Sequence, residues 1–99
     1  MAVEVRWTLH SLEDIDNIAE FIAKQSLFYA QVQTERFFQR AIVLEQFPES
    51  GRIVPELNSP EIRELIEGNY RIIYKVVSIK RVDILTVYHS NRLLTGESI

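Results

Sequence analysis

Ile62 to Leu94 reads IRELIEGNYRIIYKVVSIKRVDILTVYHSNRLL, and three β-rich runs stand out in it, separated by turn residues. Ile62–Ile66 leads into a turn at Glu67-Gly68-Asn69, Tyr70–Val77 into a tight turn over Ser78–Lys80, and Val82–His89 closes the series. This spacing predicts a three-stranded antiparallel meander. Arginine is costly in an apolar run unless its guanidinium reaches solvent or an anion, so Arg63, Arg71 and Arg92 suggest one working face.

Upstream of the meander, Ala2–Leu9 alternates Val3, Val5, Trp7 and Leu9 with Glu4, Arg6 and Thr8, the period-2 mark of a strand with one buried side. Ser11 then begins a capping-box-like pattern with Asp14. Ile15, Ile18, Ala19, Ile22 and Ala23 follow at helical spacing, which predicts a helix from about Leu12 to Lys24. Ser26 can cap a second helix, whose apolar stripe (Ala30, Phe37, Phe38, Ala41, Ile42, Leu44) runs out before Pro48. The short link at Gln25–Leu27 makes the pair an antiparallel helical hairpin. Phe47–Glu61 contains Pro48, Gly51, Pro55 and Pro60 and reads as an irregular connection, either functional or laid along a sheet edge.

The expected fold is therefore α+β: an N-terminal strand, an antiparallel helical hairpin, then the meander, with the helices on one face of a small sheet. The other face is left open to solvent or a partner. Parity along the middle strand of the meander puts Arg71 and Lys75 on that open face, opposite Tyr70, Ile72, Tyr74 and Val76. In the last strand, Val82, Ile84, Thr86 and Tyr88 alternate with Asp83, Leu85, Val87 and His89, and the facing of the two sets stays open.

At 99 residues, 46% hydrophobic and 25% charged, the chain has the composition of one folded domain over residues 1–99. Cysteine is absent, which excludes disulfides and thiolate metal sites and fits a reducing cytoplasm. Glu4 and Arg6 interrupt any apolar leader, and no run is long enough to span a bilayer, so no membrane association is expected. The net charge of −3 argues against binding driven mainly by nucleic-acid phosphates. Basic groups nevertheless gather late: residues 1–50 hold four Lys/Arg against eight Asp/Glu, residues 51–99 seven against six.

His89 supplies an imidazole with arginines around it in sequence, the ingredients of general acid–base chemistry on a phosphate. The plainer reading is a histidine that ends a strand and bonds locally. Arg52, Arg63 and Arg71 can each grip a phosphate or a partner's carboxylate, or merely pair with Glu61, Glu64, Glu67 or Asp83 across the sheet. Tyr70, Tyr74 and Tyr88 can stack on bases, but alternate aromatics in strands usually belong to a core. His10 and His89 lack zinc-ligand spacing, there is no Gly-rich phosphate loop, and no serine sits in a nucleophile elbow. Neither a metal nor a cofactor is expected. Asp14, Asp16 and Glu20 read as a solvated helix face.

Taken in order, LEDIDNIAEFI (Leu12–Ile22), FPESGR (Phe47–Arg52), IREL (Ile62–Leu65), NYRIIY (Asn69–Tyr74) and VYHSNR (Val87–Arg92) resemble the RelE/ParE superfamily of toxins from bacterial type II toxin–antitoxin modules. The resemblance spans about residues 2–94. It implies two helices on a small curved antiparallel sheet, and a growth-arresting toxin neutralised by a flexible segment of a cognate antitoxin. Operator DNA would be contacted only through that antitoxin. ParE-like members inhibit DNA gyrase without chemistry of their own, whereas RelE-like members cut messenger RNA on the ribosome.

Carried over from the RelE-like pattern, His89, Arg71 and Arg52 would be the catalytic groups of an endoribonuclease. Arg52, Arg63, Arg71, Lys75, Tyr88 and Arg92 would meet the target or the antitoxin. The lysine-rich segment of some RelE-like members is missing between Gly51 and Glu61, where this chain has Arg52 and Glu56, and Lys24, Lys75 and Lys80 are its only lysines. With the acidic balance, this places the chain closer to the ParE-like and plasmid-stabilisation members. A RelE-like mRNA interferase is the alternative.

Overall fold

The computed structural model describes residues 2–92, 94 and 95. Strand β1 (Glu4–Trp7) leads into α1 (Leu9–Ala23) and α2 (Leu27–Ala41), which continues into a 3₁₀ turn over Ile42–Glu45. Strands β2 (Arg52–Ile53), β3 (Ile62–Glu67), β4 (Tyr70–Ser78) and β5 (Arg81–His89) follow. The α+β order and the helical hairpin match the sequence reading, and α2 is capped as expected, the Tyr29 N–H donating to Ser26 Oγ at 3.2 Å.

Helix α1 begins one turn earlier than its pattern predicts. Its cap is Thr8, whose Oγ1 accepts the Ser11 N–H at 3.1 Å, while the Ser11 hydroxyl turns inward and donates to the Thr8 carbonyl. Thr8 also donates its hydroxyl to the Ile84 carbonyl at 2.8 Å, so the same residue caps the helix and fixes it to the sheet. That second bond is long-range and decides between two residues that both suit a cap.

The sheet runs β1-β5-β4-β3-β2. The meander is antiparallel, but β1 pairs with β5 in parallel, Val5 opposite Val82 and Trp7 opposite Ile84. The sheet is thus mixed, where the family resemblance implies an antiparallel one. A parallel pair needs a crossover of a dozen or more residues; here the helical hairpin is part of the chain that separates the two strands. Gly68, at φ +57°, supplies the left-handed position of the β3–β4 turn.

Helices cover one face, where Ile15, Phe37, Ala41 and Leu44 are buried with Leu65, Ile72, Tyr74, Val82, Ile84 and Val87. Simple alternation cannot put Ile84 and Val87 on the same side. The pairing passes from Ile73–Thr86 to Tyr74–Ile84, so Leu85 is an extra residue in β5 that reverses its parity. This bulge settles the facing left open by the sequence.

The second face is not open. Val54, Ile73 and Leu94 form a small core there, flanked by Leu57, Ile62 and Tyr88. The connection after β2 folds back through bonds from the Leu57 and Asn58 N–H groups to the Val54 carbonyl and lies over the sheet. The proline-rich stretch is therefore part edge strand, part cover.

Gly51 sets how closely that connection approaches. Its N–H donates to Tyr74 Oη at 2.9 Å, and a Cβ placed there would lie 2.5 Å from the Glu64 carbonyl and 2.6 Å from Tyr74 Oη. Gly51→Ala should lower stability by about 1–3 kcal/mol, as overpacking does, read as a lower urea midpoint with unchanged slope. An unchanged midpoint would mean that the loop moves freely.

Candidate functional site

The arginines of the sheet do not form a bare cationic face. Arg52 in β2 stands directly opposite Glu64 in β3, and Glu64 pairs with Ile73 in β4, which makes Arg71 its diagonal neighbour on the same face. The Arg52 guanidinium pairs with the Glu64 carboxylate, whose other oxygen accepts Arg71 Nε at 2.6 Å. The two terminal nitrogens of Arg71 bind Glu56 as a fork, at 2.6 and 2.7 Å. Glu56 also accepts the Leu94 N–H at 3.2 Å, which ties the chain's last described residues to the sheet.

Glu64 is 1% exposed and Arg71 5%, so the expected exposure of Arg71 is overturned. Lys75 does lie at the surface. Of the pairings read from sequence, Arg52 and Arg71 take the one with Glu64; Glu56 was missed, because only the fold of the connection brings it over β4. Hydrogen bonds from Arg71 hold the Glu56 carboxyl down from 4.5 to about 2, and the same bonds raise Arg71 further. Glu56 therefore contributes stability in full above pH 4.5 and loses it as pH falls through about 2. Wild type and Glu56→Gln should differ most near neutral pH and converge in acid. A constant gap in urea midpoint would contradict the bridge.

Arg63 serves the connection. Its guanidinium donates to the carbonyls of Pro60, Gly51 and Glu49 at 3.1, 3.0 and 3.3 Å. Arg92 is exposed, with its guanidinium carbon 5.9 Å from the centre of the Tyr88 ring. Tyr88 flanks the small second core and Tyr74 is fully buried, so neither presents a free stacking face.

His89 lies on the helix side of the sheet, its ring edge-on to Tyr70 at 5.4 Å, and Tyr70 in turn meets Phe37 of α2. The structure thus joins Arg52 and Arg71 through Glu64 on one face and sets His89 on the other. His89 Nδ1 accepts the Asn91 N–H at 3.1 Å, which assigns the proton of the neutral ring to Nε2. In that tautomer the ring offers a donor and has no lone pair left for a base.

His89 opens into a cleft of about 760 Å³ between α1 and the end of β5, which His10 also lines. Asp14, read as solvated, is a structural link there: it accepts the Thr86 hydroxyl and the Val87 N–H and lies 3.5 Å from His10 Nε2. Its signal in the sequence was the His10–Asp14 spacing of four together with a threonine in an apolar strand. Among the described residues no group of three or more His, Asp or Glu side chains is placed to hold a metal. None of their helices is long and apolar enough to cross a membrane.

A third feature is the outer surface of the helical hairpin. Leu27 and Phe28 are 67% and 68% exposed. Between the helices runs a mainly apolar groove of about 450 Å³, floored by Ala19, Ala23 and Ala30 and lined also by Glu20 and Glu35.

The family model described as ParE toxin of type II toxin-antitoxin system, parDE, matches residues 5–94. No curated protein matches by sequence. Among solved structures, a chain of the chromosomal ParDE TA system from P. aeruginosa is similar at 20% identity and TM-score 0.73, over 88% of this chain and 95% of that one. A chain of the toxin–antitoxin complex RelBE2 from Mycobacterium tuberculosis is similar at 18% identity and TM-score 0.56, over 90% and 99%. At these identities the two structures speak for the fold alone.

Proposed function

Because the chain belongs to the ParE toxin family of type II toxin–antitoxin systems, we propose that it arrests growth in the cytoplasm by docking on DNA gyrase, without chemistry of its own, and that a cognate antitoxin neutralises it. The observation that carries the non-enzymatic reading is the engagement of Arg71. Its guanidinium is spent on Glu64 and Glu56 and is nearly sealed from solvent, so it has no edge left for a phosphate. His89, with Nδ1 committed to Asn91, supports the same reading. The acidic net charge of −3 adds to it, since ribosomal RNA would repel such a surface.

Neutralisation falls to the hairpin surface, where apolar side chains stand exposed, rather than to the sheet face around Arg71. Operator DNA is contacted through the antitoxin. Induction of the toxin alone should stop growth and relax plasmid DNA, with ribosome-bound message intact. Cleaved message that is spared by His89→Gln would replace this reading with the ribonuclease one, and normal growth would remove toxicity altogether.

A further inference from the structure

We infer that the cleft between α1 and the end of β5 receives an extended segment of a partner polypeptide, one that sets a carboxylate against Arg92 and His89. The inference rests on the reading above only in naming that partner as the antitoxin. Its starting point is the direction of two elements. The Thr8 N–H donates to the Ile84 carbonyl at 3.2 Å and Asp14 accepts from Val87, so α1 and β5 advance together and are tied as far as Val87. Past that point they enclose the cleft.

The length of the cleft fits a peptide. From His10 to Phe21 the helix advances 11 residues, or about 16 Å at the helical rise, the reach of roughly five residues of extended chain. A mononucleotide would leave part of it empty. Polar and apolar groups are interleaved along the wall: Ile18 and Phe21 offer apolar seats, and Asn17 and Asn91 offer amides that can meet a backbone.

The charge at one end fits an acidic residue. Arg6, Arg52, Arg63, Arg71 and Arg81 each face a carboxylate; among the described residues Arg36, Arg40 and Arg92 face none, and of these three Arg92 is the one that lines the cleft. Its place beside the Tyr88 ring orients the guanidinium without using its N–H edges. His89 brings Nε2–H to the same cleft as a second donor, because Asn91 occupies Nδ1. Asp14 also lines the cleft, where its carboxylate is held by the Thr86 hydroxyl and the Val87 N–H and lies 3.5 Å from His10 Nε2. The cleft and the hairpin groove lie on different sides of α1, Asn17 and Phe21 facing one and Ala19 and Ala23 the other. A partner that wraps α1 fills both.

The test uses isotope-labelled full-length toxin and two blocked pentapeptides, with leucine at the centre and either glutamate or glutamine at one end. The glutamate peptide should shift the amide signals of Ile18, Val87, His89 and Arg92 and bind about tenfold tighter than its glutamine twin, the worth of one charge-assisted hydrogen bond. Arg92→Gln, at an exposed position, should keep the fold and erase the difference. Equal binding of the two peptides to wild type, or shifts confined to Ala19, Ala23 and Ala30, would overturn the inference. So would tighter binding of adenosine monophosphate in the same cleft, which would make it a nucleotide site. Neither antitoxin nor gyrase is present, so this result stands apart from a failure to inhibit supercoiling.

Discussion

Glu64→Ala should cost about 3–5 kcal/mol, the loss expected when one member of a buried ion pair is removed and the other stays. Glu64 is the shared node of the network, holding Arg52 with one oxygen and Arg71 with the other, and it is fully enclosed. Without it Arg71 keeps only Glu56, and its Nε–H is left in a site that water does not reach. A domain of this size has about 5–15 kcal/mol in total, so the variant should be partly unfolded at growth temperature. Glu64→Gln retains an acceptor and should lose less. Because Glu56 and Glu64 share Arg71, the double replacement should depart from additivity. Urea midpoints of wild type, the single variants at Glu56 and Glu64 and the double replacement decide it: a loss below about 1 kcal/mol for Glu64→Ala would mean that the network is no more than a surface ion pair.

The second large effect concerns the partner surface. Leu27→Asp and Phe28→Asp put charge where apolar side chains are exposed at the start of α2, beside a groove that already carries Glu20 and Glu35. Neither side chain is in the core, so the fold should tolerate both changes. Antitoxin affinity should fall by about 2 kcal/mol or more per change, as at an interface hot spot, some thirtyfold or beyond. Charge reversal at Arg71 should not act as a clean interface change, because it breaks the internal network first. If Leu27→Asp and Phe28→Asp bind antitoxin as wild type does while Lys75→Glu does not, neutralisation belongs to the sheet around β4 instead.

Much of this architecture was legible in local sequence. Alternation in Val3–Trp7, helical spacing from Ile15 to Ala23, the Ser26 cap and the Gly68 turn each depend on neighbours within one or two turns of chain, and each held; Leu9, read with the strand, instead opens α1 and is exposed, because the Thr8 cap ends the strand first. What was not legible depends on pairing at long range. The parallel seat of β1 on β5, the choice of Thr8 over Ser11 as cap, and the extra Leu85 all follow from contacts some eighty residues apart or from the partner strand. The same limit governs the site. That Arg71 could pair with Glu64 was visible, but its burial came from a connection whose prolines and Gly51 read only as irregular. His89 looked like a neighbour of the arginines because sequence distance says nothing of faces. One extra residue in β5 places it across the sheet from them.

Purified toxin added to gyrase and relaxed plasmid tests the central claim most directly, with ribosomes carrying message as the parallel reaction. Supercoiling should stop at saturating toxin and return on addition of antitoxin, and the message should stay whole with wild type and His89→Gln alike. Unaffected supercoiling, together with message cut by wild type and spared by His89→Gln, would contradict a toxin that acts by docking alone.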